Sequence, residues 1–346
     1  MNDAPEKDDF GFDPPQQVSP TKQVAGEIRR RRFLQFGAAA VASTTALRSL
    51  PAQPPTTEQA SANDTSKPWL RKTLKIGMIK LKDGSLSDKF KLAKQAGFEG
   101  VELKAPNIDV EEANRAAKES GLIIDGSVGG YHWKTRHTDP DPAVRKKAMG
   151  MLLEGLWNTA LVGGKTMLLV PGHGKDGTDD EVYQRAVDAV NEALPVAEKL
   201  GVSIVIENVW NDFCYDHELP FAKGGNQTAD RLAAFIDEFK SPLVGVQFDI
   251  GNHWNYGDPA QWIRTLGSRI QKLDIKGFAR NDPKPHFTKI TEGDIDWPSV
   301  EEALHAINFT GWLAAEVSGG GLERLKEVND HLEESLNCSK SIASVS

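Results

Sequence analysis

The sequence alternates regularly between short apolar runs and segments with helical periodicity. Eight runs predict strands at residues 74–80, 98–104, 122–128, 164–171, 202–209, 244–250, 270–276 and 311–317. The segments between them carry apolar residues at three- and four-residue spacing, which is typical of amphipathic helices. Eight strand–helix repeats predict an α/β fold, the (β/α)8 TIM barrel. An open doubly wound sheet fits less well, because no G-x-G-x-x-G turn follows the first run.

Composition and charge bound the class of protein. The chain has 346 residues, of which 39% are hydrophobic and 26% are charged, and this is the composition of a globular protein. The formal net charge of −8 argues against a general binder of nucleic acid or of anionic membranes. The two cysteines, Cys214 and Cys338, are too few for a disulfide framework and lack metal-ligand spacing.

The N-terminal part of the chain has the composition of an export signal rather than of a folded domain. Residues 1–62 are predicted to be a disordered region plus a twin-arginine signal peptide, 63–72 a linker, and 73–346 the catalytic barrel. Four consecutive arginines at 29–32 precede Phe33, Leu34 and a short alanine-rich apolar stretch, the arrangement of such a signal. That stretch is too short for a stable membrane anchor. We therefore expect the twin-arginine machinery to export the protein to the periplasm or beyond.

Four acidic residues lie at or near the C-terminal ends of the last four predicted strands. They are Glu207, Asp249, Asp274 and Glu316. In a barrel these strand ends meet at one face, where four uncompensated carboxylates would repel one another. Carboxylate oxygens suit hard divalent cations, so the sequence predicts one metal ion, Mn²⁺ or Mg²⁺. Salt bridges to nearby lysine or arginine side chains are the structural alternative.

Four sequence stretches resemble a known family. VIENVW and FDIGNH carry Glu207 and Asp249, LDIKGFAR carries Asp274, and GDIDW follows at residues 293–297. In order and strand placement they resemble the xylose isomerase-like TIM barrels, specifically the sugar isomerase/epimerase branch with ketose 3-epimerases and hydroxypyruvate isomerase. The resemblance covers about residues 73–340 and implies the same barrel fold.

The resemblance also implies a ligand set and a reaction. The family holds one divalent metal through Glu, Asp, His and Glu, and Asp274 stands where the usual residue is His. This substitution makes the site more anionic and favours Mg²⁺, Mn²⁺ or Ca²⁺ over zinc. The implied reaction is proton transfer on a hydroxy-carbonyl sugar through a cis-enediolate. One of Glu207 and Glu316 would remove the proton and the other would return it, and Arg280 matches a substrate-binding arginine.

Further polar and aromatic residues follow predicted strand ends, where a sugar would bind. The predicted substrate-binding residues are Glu102, His132, His173, Trp210, His253, Lys276 and Arg280. The open alternatives are an ion pair with Lys104 for Glu102 and loop packing for the histidines after strands three and four. An aromatic ring suits the apolar face of a sugar but can equally cap a core.

The expected function is an exported, divalent-metal-dependent sugar isomerase or epimerase. Two alternatives remain: a metal-dependent lyase or hydrolase acting on keto-glycosides on the same barrel, and a non-catalytic carbohydrate-binding barrel. Export favours an unphosphorylated sugar or keto-sugar as substrate. No nucleic-acid partner is expected. Dimers and tetramers are common in such families, so a homo-oligomer is also an expectation.

Overall fold

The computed structural model describes residues 68–342, so the predicted signal peptide and the first half of the predicted linker lie outside the described residues. Ten strands lie in this part of the chain. They are β1 (Leu70–Leu74), β2 (Gly100–Lys104), β3 (Ile123–Val128), β4 (Thr166–Leu169), β5 (Ser203–Glu207), β6 (Val244–Asp249), β7 (Ile270–Ile275), β8 (Gly277–Ala279), β9 (His286–Thr288) and β10 (Gly311–Ala315).

Helices fill the connections between the strands, close to the predicted segments. They are α1 (Leu86–Gln95), α2 (Val110–Ser120), α3 (Pro142–Leu161), α4 (Asp179–Leu200), α5 (Asp230–Asp237), α6 (Ile250–Trp254), α7 (Pro259–Leu266), α8 (Trp297–Ala306) and α9 (Leu322–Leu336). Gly121 and Gly201 take the left-handed conformation immediately after α2 and α4, the usual position of a glycine C-cap. Among the described residues, no helix is long and apolar enough to cross a membrane.

Eight parallel strands form one sheet in the order β1-β10-β7-β6-β5-β4-β3-β2. A parallel bridge between Lys75 and Glu102 joins the first and last strands of this order, so the sheet curls into a nearly closed barrel. The predicted (β/α)8 barrel is confirmed. The remaining strands, β8 and β9, pair with each other as an antiparallel hairpin that the sequence pattern did not reveal.

The first strand lies earlier than predicted. The apolar run at 74–80 was expected to be a strand, but β1 ends at Leu74 and residues Ile76–Met78 form a 3₁₀ turn. Met78 and Ile79 are buried at the end of the barrel, so their apolarity reflects burial rather than strand structure. The true strand includes residues 70–72 of the predicted linker.

The upper barrel interior is lined by polar and charged side chains. Successive inward-facing residues of a strand are two apart, and β7 with its extension presents Lys272, Asp274 and Lys276 in this way. A typical barrel fills this space with aliphatic side chains. Here the charged layer lies above the apolar core and supports the C-terminal face.

Candidate active site

Four carboxylates converge at the C-terminal face of the barrel. One oxygen from each of Glu207, Asp249, Asp274 and Glu316 lies within 4.8 Å of the others. Glu207 and Asp249 end β5 and β6, Asp274 lies near the end of β7, and Glu316 directly follows β10. The structure therefore brings together all four predicted ligands, three of them buried and one partly buried.

Strand register places two of these carboxylates side by side. A register shift between Val246 and Gln247 in β6 brings Asp249 opposite Asp274 of β7. Asp249 is also the N-cap of α6, because its Oδ1 accepts a hydrogen bond from the Asn252 N–H at 2.7 Å. The short helix α6 thus fixes the carboxylate that the strand delivers.

Lys276 extends into the carboxylate cluster from just beyond β7. Its ammonium nitrogen lies 2.8 Å from Asp249 Oδ2 and 2.7 Å from Glu316 Oε2. It also donates a hydrogen bond of 3.3 Å to Asn252 Oδ1 and lies 5.3 Å from the centroid of the Phe287 ring. The alternative prediction was that the strand-end acids form salt bridges. It is correct in part, because Lys276 is the counter-ion of Asp249 and Glu316.

A second lysine links the cluster to the layer beneath it. Lys75, which directly follows β1, lies 2.9 Å from Asp274 Oδ1 and 2.7 Å from Glu102 Oε2. Gln247 Nε2 donates to the same Asp274 oxygen at 2.9 Å and to Glu102 Oε1 at 3.2 Å. The Asp274 carboxylate is therefore held by a lysine that follows β1 and by a glutamine of β6.

A third lysine completes this buried layer. Lys272 is fully buried, 2.7 Å from Glu102 Oε1, and also pairs with Asp125. Thr73 of β1 donates a 2.6 Å hydrogen bond to Asp125 Oδ1. Burial alone would raise the pKa of Glu102, but Lys272 and Lys75 outweigh it and lower that pKa to about 2. Glu102 is therefore a carboxylate in a buried ion-pair network. Its partners are Lys75 and Lys272, and the alternative of an ion pair with Lys104 is wrong.

The carboxylate cluster holds more negative charge than Lys75 and Lys276 neutralise. Burial raises the pKa of Asp249 to about 6 and that of Asp274 to about 7. Burial, with the charges of Glu316 and Asp274, raises the pKa of Glu207 well above its ordinary value. Burial alone would also raise the pKa of Glu316. Nearby positive charges, chiefly that of Lys276, outweigh burial and lower this pKa. Among the described residues, Glu207 makes no ion pair with a basic side chain.

The donor set fits a hard divalent cation. Four carboxylate oxygens converge, and three of the four carboxyl pKa values are raised, so the cluster gains from a further positive charge. All-oxygen sites suit Mg²⁺ and Mn²⁺ rather than soft metals. The residues that would hold such an ion are the four carboxylates themselves.

Two predicted substrate-binding histidines lie after β3 and β4. His132 is buried, its Nδ1 accepts a hydrogen bond from the Val170 N–H at 3.3 Å, and burial lowers its pKa to about 3. His132 Nε2 has no hydrogen-bond partner among the described residues. His173 is half-buried, accepts from the Lys175 N–H at 3.2 Å, and has its pKa lowered to about 4 by burial. Their contact with a sugar stays a prediction.

Two other predicted substrate-binding residues, His253 and Arg280, pack against aromatic side chains. His253 is buried with its ring centroid 3.5 Å from that of Trp262, and burial lowers its pKa well below the ordinary value. The Arg280 guanidinium lies between Trp254 and Phe221, 3.5 Å and 3.8 Å from the ring centroids. It donates to the backbone carbonyls of Trp254 and Gly257. The structure thus gives both side chains a packing environment, and their substrate role stays a prediction.

Trp210 borders the cluster with an exposed aromatic face. Its indole N–H donates to the Asn252 carbonyl at 2.8 Å, and its ring stacks on Phe287 of β9 at 5.1 Å. The side chain is 38% exposed, so part of the ring remains open to a ligand. The hairpin β8–β9 therefore builds an aromatic wall beside the carboxylates.

Sequence reasoning missed two residues of the site. Lys75 was overlooked because the first strand was placed too late, which hid its inward position two residues after Thr73. Gln247 lies in the middle of an apolar run, two residues before Asp249, and this spacing was the signal that could have identified it.

Curated proteins that match in sequence include distant relatives. One is a D-psicose 3-epimerase of Ruminiclostridium cellulolyticum, 27% identical over 64% of this chain and 74% of its own length. Another is an uncharacterized protein of Methanocaldococcus jannaschii, 26% identical over 39% of this chain. The match spans 44% of that relative's own length, less than half.

Several solved structures share the fold. An L-ribulose 3-epimerase superposes with a TM-score of 0.65 at 17% identity, over 80% of this chain and 97% of its own. A 3-keto-D-glucoside 4-epimerase from E. coli gives 0.61 at 20% identity, over 78% and 100%. The IOLI protein with a binding zinc atom gives 0.63 at 14% identity, over 77% and 98%. These TM-scores show a shared fold.

A protein-family model extends this likeness to most of the chain. The model of the xylose isomerase-like TIM barrel matches residues 90–342, which include all four converging carboxylates. The match begins within α1 and runs through the C-terminal helix α9. This chain belongs to the xylose isomerase-like TIM barrel family.

Proposed function

We propose that this protein is an exported, divalent-metal-dependent isomerase or epimerase of free sugars or keto-sugars. The observation that carries the proposal is the convergence of Glu207, Asp249, Asp274 and Glu316 within 4.8 Å at the barrel face. Family membership and the names of the relatives, a psicose 3-epimerase and a ribulose 3-epimerase among them, support the reaction class.

The four carboxylates would hold Mn²⁺ or Mg²⁺, and the bound ion would supply polarisation of the substrate carbonyl and its neighbouring hydroxyl. Glu207 and Glu316 reach the cluster from strands β5 and β10, which β6 and β7 separate. Two carboxylates on different sides of a flat enediolate suit the removal and return of a carbon-bound proton. Trp210 offers an aromatic face for the sugar ring.

Export is supported by the sequence alone. The four arginines at 29–32 and the apolar stretch after them lie outside the described residues. Twin-arginine export carries folded proteins, so the proposed metal would be acquired before export. An exported enzyme meets mainly unphosphorylated sugars, which favours free ketoses, aldoses and 3-keto-glycosides as substrates.

A direct activity assay tests the proposal. Protein freed of metal with EDTA is supplied with Mn²⁺ or Mg²⁺ and incubated with free ketoses, aldoses and 3-keto-glycosides, and products are separated by chromatography. We expect an isomer or epimer of one sugar class to form only with metal. Glu207→Gln and Glu316→Gln should each lower kcat about 100-fold or more. Glu323→Gln, at an exposed residue of α9, is the matched control and should retain activity.

Metal content provides an independent check. Elemental analysis should find one divalent ion per chain in the wild type and none in the double variant Asp249→Asn with Glu207→Gln. Equal metal content in the two proteins would exclude the carboxylate cluster as the metal site. Metal binding without turnover of any sugar would shift the assignment to a carbohydrate-binding barrel.

A further inference from the structure

Lys276 occupies the edge of the carboxylate cluster with its charged end. The ammonium lies within 2.8 Å of both Asp249 Oδ2 and Glu316 Oε2, and only 8% of its side chain is exposed. A buried ammonium between two carboxylates neutralises charge as a bound cation would. The chain thus already carries one positive group where the proposed metal would bind.

The oxygens that Lys276 holds are the ones a metal would need. Asp249 uses Oδ1 to accept the Asn252 N–H that caps α6, which leaves Oδ2 as its other donor. That Oδ2 is the oxygen in contact with Lys276. Glu316 likewise faces the ammonium with Oε2. A divalent ion bound by these carboxylates would lie close to the Lys276 ammonium. The two buried positive charges would then repel each other strongly.

The local fold makes room for the lysine stem. A Cβ on Gly251 of α6 would lie 2.3 Å from Lys276 Cγ and 2.8 Å from the Lys276 carbonyl oxygen. The backbone of α6 therefore passes close to this side chain, and the glycine is required for its observed position.

The ammonium also has polar and aromatic neighbours other than the carboxylates. Asn252 Oδ1 lies 3.3 Å from it, and the Phe287 ring centroid lies at 5.3 Å. An amide oxygen and an aromatic face both stabilise a cation. These groups allow Lys276 to stay charged and solvated by protein when it yields the carboxylate oxygens.

We propose that the Lys276 ammonium is a built-in cation that competes with the divalent metal for Asp249 and Glu316 and thereby weakens metal binding. The inference rests on the proposed metal site. It makes the lysine a determinant of metal affinity rather than a metal ligand or a proton carrier.

Metal titration of the full chain tests this inference. Metal-free wild type, Lys276→Met and Lys276→Gln are titrated with Mn²⁺ at fixed pH and ionic strength, and free Mn²⁺ is measured by electron paramagnetic resonance. We expect both variants to bind Mn²⁺ at least about tenfold more tightly than the wild type, because the competing charge is gone. Lys91→Met removes a lysine from an exposed ion pair on α1 and should change the affinity less than about twofold.

Equal or weaker Mn²⁺ binding by both Lys276 variants would overturn the inference. If the metal-free variants are partly unfolded at the titration temperature, the dependence of Tm on Mn²⁺ concentration replaces the titration: a Tm that rises from a lower Mn²⁺ concentration than in wild type supports the inference, and a rise from the same or a higher concentration contradicts it. A wild type that binds Mn²⁺ and isomerises a sugar, with unchanged affinity in the variants, refutes this inference alone. Absence of Mn²⁺ binding in every protein refutes the proposed metal site as well.

Discussion

Lys272 is a fully buried lysine that connects two carboxylates inside the barrel. It lies 2.7 Å from Glu102 and also contacts Asp125, and all three side chains are excluded from solvent. A buried ion pair contributes little net stability when intact, but removing one partner leaves a buried charge unpaired. This network therefore links the strands β2, β3 and β7. Its effect on the free energy of unfolding becomes large when one of the charged partners is removed.

We predict that Lys272→Met lowers the free energy of unfolding by about 3–5 kcal/mol, because two carboxylates lose their shared counter-ion. Urea denaturation measures the change. Lys91→Met, which removes an exposed ion pair, should cost less than about 1 kcal/mol. Adding Asp125→Asn to Lys272→Met should restore part of the loss. Equal destabilisation by the two lysine variants would show that the buried network is not held by its charges.

His253 gives the protein a pH-dependent loss of stability. Its folded-state pKa lies well below the ordinary value, chiefly because the ring is buried. Below about pH 6.5 the unfolded chain takes up a proton that the folded chain does not. The free energy of unfolding therefore falls by about 1.4 kcal/mol for each unit by which the pH is lowered. The loss is absent above that pH and continues down to the folded-state pKa.

We predict that His253→Phe loses less stability than the wild type between pH 6.5 and pH 5, by about 2 kcal/mol. Phenylalanine keeps the ring contact with Trp262 and has no proton to gain. Urea unfolding at several pH values measures the difference between the proteins. His286→Phe, at an exposed residue of β9, controls for the loss of a histidine. Parallel pH profiles for wild type and His253→Phe would contradict the assignment.

At the scale of elements, the strand ends of the barrel determine what the sequence could reveal. The four converging acids were predictable, because parallel strands buried on both faces read as apolar runs and their C-terminal ends share one face. Eight of the nine described helices were predictable from their periodicity, whereas the one-turn helix α6 was not. The register shift that sets Asp249 opposite Asp274 has no sequence signal, because it depends on how two strands pair.

The segments after the strands were less predictable for a physical reason. His253 and Arg280 follow strand ends closely in sequence, which suggested contact with a sugar. His253 lies in the one-turn helix α6, and the tertiary packing of its ring against Trp262 has no signal in the local sequence. Arg280 follows the short strand β8, and a hairpin found by tertiary pairing sets its direction.

The hairpin β8–β9 and Trp210 together form the aromatic wall beside the site. We predict that Trp210→Ala raises the KM for the sugar up to about tenfold, because a stacked ring contributes about 0.5–1.5 kcal/mol. Affinity for Mn²⁺ should stay unchanged. Trp157→Ala, at an exposed tryptophan of α3 outside the wall, is the matched control and should leave KM unaltered. Steady-state kinetics with the identified sugar measures both, and an unchanged KM in Trp210→Ala would remove this residue from the sugar site.

At the scale of the whole molecule, the protein combines an acidic barrel with a predicted N-terminal export signal. The barrel belongs to a family whose relatives include named sugar epimerases, whereas export rests on residues 29–32 and the stretch that follows. The two features are independent, so each requires its own test.

We predict that replacing Arg30 and Arg31 by lysine leaves the full-length protein in the cytoplasm, because the export machinery requires the arginine pair. Cell fractionation and immunoblotting measure the distribution. Replacing Lys7 and Lys22 by arginine, two basic residues before the signal, is the control and should permit export. Undiminished secretion of the lysine variant would refute the twin-arginine assignment without affecting the proposed chemistry.

The proposed reaction is proton transfer at carbon by Glu207 and Glu316. Its most direct test is NMR in D₂O of the Mg²⁺-loaded protein with free ketoses, aldoses and 3-keto-glycosides. We predict deuterium at a carbon beside the carbonyl of one sugar class, lost in Glu207→Gln and Glu316→Gln although each still folds. An isomer or epimer that forms over many turnovers without deuterium, or exchange that persists in both variants, would exclude this role of the two glutamates.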